Sequence, residues 1–401
     1  MIGDPPMAAF SLPLRLSAVQ IGTRFNTWRS RLIADARFQK WAAASPLTRR
    51  LARRKARALF DLCAGFVYSQ ILRACVQLEV FELLRGGPKD LAWLAARMRL
   101  TVPAARRLLS GAASLRLLRE LPGDRFALDD LGAAVNGNPA IAAFVDHHDL
   151  LYADLKDPVA LLRGETDTNL SRFWPYAGNR AHARSEAEDP ADSGWPPESD
   201  DGRASAYSDL MSRTQPLVAE DILDAYPFAR HRCLLDVGGG EGAFLASAAR
   251  RAPHLALKLF DLPPVAARAR DRIEALGLSG RAEAIGGDML RDSLPHGADV
   301  ASLIRVLHDH DDESVRVILA AIHDALPPRG VLLVAEPMAG VRGVEPMGEA
   351  YFGFYLLAMG RGRPRSGSEI AAHLEEAGFR WVRRLKTRRP LLVSALAATR
   401  V

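Results

Sequence analysis

The stretch LLDVGGGEGAF, Leu234 to Phe244, is a short apolar run that ends in an acid, turns through glycines and opens an Ala-rich helical stretch. Glycines at 238, 240 and 242 let a backbone turn tightly and approach a ligand without a Cβ in the way. From Cys233 onward, similar runs (CLLDVG, LALKLFDL, AEAIGGD, DVASLIRVL, VLLVAEP and, near the end, LLVSALAA) alternate with helical stretches. That alternation predicts an α/β domain, an open and mostly parallel sheet with helices on both faces. Two of the runs end in further acids. Asp261 closes KLFDLP, followed by Leu262, at the distance where a carboxylate takes the ribose hydroxyls of a nucleoside, and Asp288-Met289 close the next run. Three strand-end signals in sequence point to a Rossmann-like nucleoside site. Its spacing is G-x-G-x-G, flanked by Asp236 and Glu241, rather than the G-x-G-x-x-G that seats a pyrophosphate. Acids around the loop suit a cationic sulfonium and amino group, so S-adenosylmethionine is the expected cofactor.

The other regions differ in composition. Residues 1–45 form a basic extension in which Arg24, Arg29, Arg31, Arg37 and Lys40 are interleaved with Phe25, Trp28, Phe38 and Trp41. A solvated helical face and contact with an anionic membrane surface both fit that pattern. Residues 46–177 read as successive helices. Within them, a helix ending near Met98, a second from Pro103 to about Leu118 and a hairpin turning at Pro122-Gly123-Asp124 make a winged-helix pattern. Arg106 and Arg107 on the second helix keep a DNA-binding regulator open as a reading. Residues 178–205 are polar and broken by Gly and Pro, as in a linker, and 206–401 form the catalytic domain. Cys63, Cys75 and Cys233 are far apart, which argues against a disulfide framework and fits a reducing cytosol. No apolar run reaches the roughly 18 residues that a membrane-spanning helix needs. The N-terminus has no basic region ahead of its apolar stretch, which argues against a signal peptide.

RVLHDHDDES, Arg305 to Ser314, sets two histidines among four acids. It reads as a metal cluster, as the acidic start of a helix, or as a general base beside an orienting carboxylate. No second cluster at ligand spacing accompanies it, so no metal is expected. Asp311, Asp312 and Glu313 fit the first turn of the following helix.

The set DVGGGEG, FDLP, GDM, LHDHDDE and AEP, in this order and spacing, resembles the plant-type small-molecule O-methyltransferases, which include caffeate, flavonoid and acetylserotonin methyltransferases. Within that family, the basic extension and GRGRPRS (Gly360–Ser366) are similar to the carotenoid 1-hydroxy O-methyltransferases of purple photosynthetic bacteria, which act on hydroxyneurosporene or demethylspheroidene. The resemblance implies a winged-helix dimerisation domain ahead of a Rossmann-like catalytic domain, and a homodimer. It implies that Gly238, Asp261, Asp288 and Met289 contact the cofactor, joined here by Asp236, Gly240 and Leu262 around the same loop. A family Lys that also contacts the cofactor aligns with Ile304, and Arg305 follows one place later as the candidate. The resemblance assigns the base to His308, puts His310 where the family has Trp, and matches Glu336 to an orienting acid; Asp309 is the other acid beside the base. A second family Glu is replaced by Pro364.

Family acceptors lie against helices that correspond here to stretches holding Tyr207, Met211, Phe352, Tyr355 and Met359, which become candidate wall residues for an apolar acceptor. The expected acceptor is the tertiary hydroxyl of an acyclic carotenoid, and the expected location is the cytoplasm, with peripheral membrane contact through the basic N-terminus. No nucleic acid partner is expected. Methylation of a polyketide or phenol, and bacteriochlorophyll-type C-methylation, remain enzyme alternatives.

Overall fold

A computed structural model describes residues 18–173 and 215–401, so Tyr207, Met211 and the 178–205 segment lie outside the described residues. The chain forms two compact units, Met1–Ala74 and Cys75–Val401, and the division falls inside one continuous helix, Arg49–Gln77. In the first unit, helices Ala18–Ala34 and Ala36–Ala44 meet at Asp35, whose carboxylate accepts the N–H groups of Arg37 and Phe38 at 2.8 Å. Such a cap contributes about 1 kcal/mol. Phe25, Trp28 and Trp41 are more than half exposed. Arg49–Gln77 corrects one expectation: it is long and apolar enough, by length and composition, to cross a membrane. Asp61 and Arg73 interrupt the run, which is why counting unbroken apolar residues missed it. Leu59, Phe60, Leu62 and Phe66 on this helix are all exposed.

The second unit opens with the winged-helix pattern. Asp90 and Thr101 cap helices Leu91–Arg97 and Val102–Ser114. The second helix stops at Ser114 rather than near Leu118, because Leu118 begins a strand. Strands β2 (Leu118–Leu121) and β3 (Arg125–Leu128) form the hairpin, and β1 (Lys89–Asp90) pairs with β3 on its other edge. The region is therefore not all-helical: it carries a small antiparallel sheet of order β1-β3-β2. Arg106 faces Asp124 at 2.5 Å and Glu120 at 3.6 Å, so acids of its own hairpin already engage the base that a DNA-binding reading would use.

The larger sheet has seven strands: β4 (Cys233–Val237), β5 (Ala256–Asp261), β6 (Ala282–Gly286), β7 (Val300–Ile304), β8 (Val331–Glu336), β9 (Phe379–Leu385) and β10 (Ser394–Arg400). Their order is β6-β5-β4-β7-β8-β10-β9. β4 through β8 pair in parallel, and β10 runs antiparallel to both of its neighbours. β9, the edge strand, is absent from the sequence reading. FRWVRRL buries only its two ends, and its arginines face solvent, as suits an edge that must not pair with another chain.

The central strands are apolar throughout because helices cover both faces. Leu234 packs on one face with Leu257, Leu259 and Leu333, while Leu235 and Val237 pack on the other with Phe260, Leu332 and Val334. Each such leucine contributes about 1.5–3 kcal/mol when fully buried. The chain winds outward from β4 to β5 and β6, then returns to place β7 and β8 on the other side of β4. That reversal opens a crevice beyond the carboxyl ends of β4 and β7, the place where ligands bind in open α/β sheets.

Candidate active site

The groups singled out in the sequence gather at this crevice. At the end of β4, Asp236 is buried; its Oδ1 accepts the hydroxyl of Ser302 on β7 at 2.6 Å, while its Oδ2 is buried with no hydrogen-bond partner. Burial raises this carboxyl to about 7, with the Ser302 hydrogen bond opposing and the charge of Asp261 adding. Gly238 follows with φ +68°, and a Cβ there would meet Val306 Cγ2 at 2.8 Å and Met289 Cε at 3.3 Å. The glycine loop, the Met289 turn and the end of β7 thus converge on one point. Gly240 donates its N–H to Asp261 Oδ2 at 2.8 Å, and Leu262 donates to Asp261 Oδ1 at 2.7 Å, so the β5 carboxylate is fixed beside the loop. After β6, Asp288 accepts the Leu290 N–H at 2.9 Å and donates its own N–H to Asp292 at 2.7 Å. An unpartnered buried carboxylate oxygen, a cradle that a side chain would fill and a run of strand-end acids fit a cationic nucleoside such as S-adenosylmethionine.

Beyond β7 the chain enters a short 3-10 turn, Leu307–Asp309, which buries His308 and Asp309. His308 lies between two carboxylates: Nε2 is 3.2 Å from Asp309 Oδ1, and Nδ1 is 3.4 Å from Glu336 Oε2 at the end of β8. The same Glu336 oxygen accepts the backbone N–H of His308 at 3.1 Å, and Glu336 is 0% exposed. Burial pushes the imidazole pKa down, but Asp309 and then Glu336 more than offset it, and the group is raised to about 9. Parallel pairing brings these three groups together: Ile304 pairs with Ala335, so the residues just past each strand end are neighbours. Asp311 caps the next helix, accepting the Ser314 N–H at 2.8 Å, and Asp312 and Glu313 occupy its first turn.

Arg305 has a left-handed backbone (φ +62°), an uncommon conformation for a residue with a side chain. Its N–H donates to Ala335 O at 2.8 Å, and its charge acts on Tyr351 and Tyr355. Those tyrosines belong to a π-turn, Pro346–Phe352, and the helix Gly353–Met359. The Phe352 ring lies 6.1 Å from the His308 ring, and Tyr355 Oη is 2.8 Å from His147 Nε2. Tyr351 Oη is likewise 2.9 Å from His148 Nε2. Met359 is a core residue, packed with Leu151, Leu161 and Leu170. The His147 and His148 pairs escaped the sequence reading, because the HH of helix Pro139–Asp154 meets its partners some 200 residues away.

The sequence reading quoted the strap GRGRPRS but gave Arg365 no role. Arg365 is fully buried against the 307–312 turn, donating to Leu307 O at 2.7 Å and His310 O at 2.8 Å.

A family model described as an O-methyltransferase domain matches residues 152–380, and one described as an O-methyltransferase dimerisation domain matches residues 60–135. The chain is 43% identical, over 92% of its length and 94% of the relative's, to a demethylspheroidene O-methyltransferase of Cereibacter sphaeroides. It is 39% identical, over 92% of its length and 89% of the relative's, to a protein of the same name from Rhodobacter capsulatus. Among solved structures it resembles CalO1, a methyltransferase in calicheamicin biosynthesis in its SAH-bound form, with 29% identity and a TM-score of 0.66, covering 87% of this chain and 98% of that one.

Proposed function

Because the chain belongs to the O-methyltransferase family, as an S-adenosylmethionine-dependent enzyme carrying the family's dimerisation domain, we propose that it methylates the tertiary hydroxyl of an acyclic carotenoid, with His308 as general base. When bound, S-adenosylmethionine supplies a methyl group already activated by the sulfonium charge. Asp236, Gly238, Gly240, Asp261 with Leu262, and Asp288 with Met289 would hold it, and Arg305 stands between that site and the aromatic helix.

The chain's own task is to place the hydroxyl and take its proton. Glu336 Oε2, 3.4 Å from Nδ1, would favour the proton on that nitrogen and leave Nε2 to take the proton of the hydroxyl. Asp309 offsets the imidazolium charge that results. Positioned bases of this kind contribute roughly 10²–10⁴-fold. The observation that carries the reading is the pair of carboxylates around His308. They raise its basicity to about 9, which suits an alcohol far less acidic than a phenol. The two bacterial relatives named for demethylspheroidene support the same acceptor class. Phe352 is the candidate wall residue whose ring lies 6.1 Å from that of the base, whereas Tyr355 and Met359 pack in one buried cluster. Incubating purified protein with S-adenosylmethionine and a hydroxylated acyclic carotenoid should yield a methyl ether, detected by mass spectrometry. Methylation at carbon, with the hydroxyl still free, would overturn the assignment.

The exposed Phe25, Trp28 and Trp41 among Arg24, Arg29, Arg31, Arg37 and Lys40 support peripheral contact with an anionic membrane that holds so apolar an acceptor. Removing residues 1–45 is expected to lower partitioning onto anionic vesicles and activity on lipid-borne acceptor. Unchanged partitioning would refute the contact. The exposed Phe60, Leu62 and Phe66 lie at the start of the dimerisation match and suit a second copy of the chain.

A further inference from the structure

We propose that the strap Gly360–Ser366 is the positioning element of the base, with Arg365 as its fixed point. The strap holds the backbone of the catalytic turn rather than its side chains. Arg365 donates Nη1 to Leu307 O at 2.7 Å and Nη2 to His310 O at 2.8 Å, and Arg363 donates its N–H to His308 O at 3.0 Å. The carbonyls on both sides of the base, and its own, are therefore pinned from one segment. The guanidinium is balanced by Asp312, whose Oδ1 accepts from Nε at 2.9 Å and from Nη2 at 2.6 Å. With its carbonyl accepting the Ala339 N–H at 2.9 Å, Arg365 also ties the strap to the segment after β8, the strand that delivers Glu336.

Two features show that the fit is built for this contact. Gly362 has φ +78°, and a Cβ there would collide with the His308 carbonyl oxygen and crowd Asp309. Only glycine lets the strap lie so close. Arg365 is 0% exposed, and a buried guanidinium is tolerated only when its planar fork is filled. Lysine, a point charge with a different reach, cannot engage two carbonyls and a carboxylate in one plane. The outer ion pairs, Arg361 with Asp311 at 3.3 Å and Arg363 with Glu369 at 2.7 Å, are exposed and add little.

The strap fixes the turn so that Asp309 and Glu336 flank the ring. Arg365 touches no reacting atom, so it is a positioning residue, and the proposal rests on the reading of His308 as the base.

The test is Arg365→Lys in the full-length protein, with donor binding measured alongside kcat, KM and the pH profile of kcat. We expect kcat to fall by about 10²-fold, the loss that a displacement near 1 Å produces, with donor affinity and acceptor KM within twofold of wild type. The acidic limb of the kcat profile should also move to lower pH, because the imidazole leaves its two carboxylates. A merely structural role would lower thermal stability and active fraction without moving that limb, and this result overturns the proposal. If Arg365→Lys does not fold, Gly362→Ala displaces the His308 carbonyl of the same turn without disturbing the buried charge and must show the same shift. Loss of activity in His308→Gln with wild-type turnover in Arg365→Lys defeats the strap alone. Wild-type turnover in His308→Gln defeats the base and the strap together.

Discussion

Glu336→Gln isolates the electrostatic contribution of one buried carboxylate. Glutamine keeps an oxygen that can accept the His308 N–H now held at 3.1 Å, so the change removes charge more than shape. The carboxylate oxygen lies 3.4 Å from Nδ1 and is shielded from water. His308 is raised from 6.5 to about 9 in spite of burial, and Asp309 is the larger of its two partners. Because Asp309 is the larger partner, the share of Glu336 is about 1–2 kcal/mol, near the low end for a hydrogen bond to a charged group. The plateau of kcat at high pH should therefore fall about 5- to 30-fold. The acidic limb should move down by roughly one pH unit, since a weaker base gives up its proton earlier. At pH 7 the deficit is smaller, because more of the variant's imidazole is already neutral. Methyl transfer from labelled donor, followed from pH 6 to 10 at saturating acceptor, reads both quantities. A plateau within twofold of wild type and an unmoved limb would refute the reasoning.

Asp236, raised to about 7 by burial, should make donor binding pH-dependent: affinity for the cationic donor rises between pH 6 and 8 as the carboxyl ionises. Calorimetric titration should show that slope in the wild type and lose it in Asp236→Asn. His308 should also couple folding to pH. An imidazole raised to about 9 stabilises the fold fully below pH 6.5, and that contribution disappears as pH rises through about 9. Denaturant unfolding of wild type and His308→Gln should therefore differ most at pH 6 and converge above pH 9.

Much of this site could be read before folding, because its parts end strands. Asp236, Asp261, Asp288 and Glu336 each follow an apolar run, and a parallel sheet brings such positions to one edge. His308 became legible through the motif around it. Strand β9 did not, because an edge strand exposes arginines where alternation would otherwise show. Arg365 and Gly362 were quoted as a motif without a role, because their partners are backbone carbonyls, which a sequence does not display. The pairing of His147 with Tyr355 depends on two helices meeting across the domain, information that resides in tertiary packing alone.

The account is tested most directly by a competition. Wild-type enzyme and His308→Gln are given labelled S-adenosylmethionine with equal amounts of a hydroxylated acyclic carotenoid and a phenol of comparable apolarity, and label in each product is counted. The account predicts that wild type places label on the carotenoid oxygen, and that His308→Gln loses about 10²-fold or more of this transfer while still binding the donor. Label on the phenol alone, or undiminished transfer by His308→Gln, would contradict it.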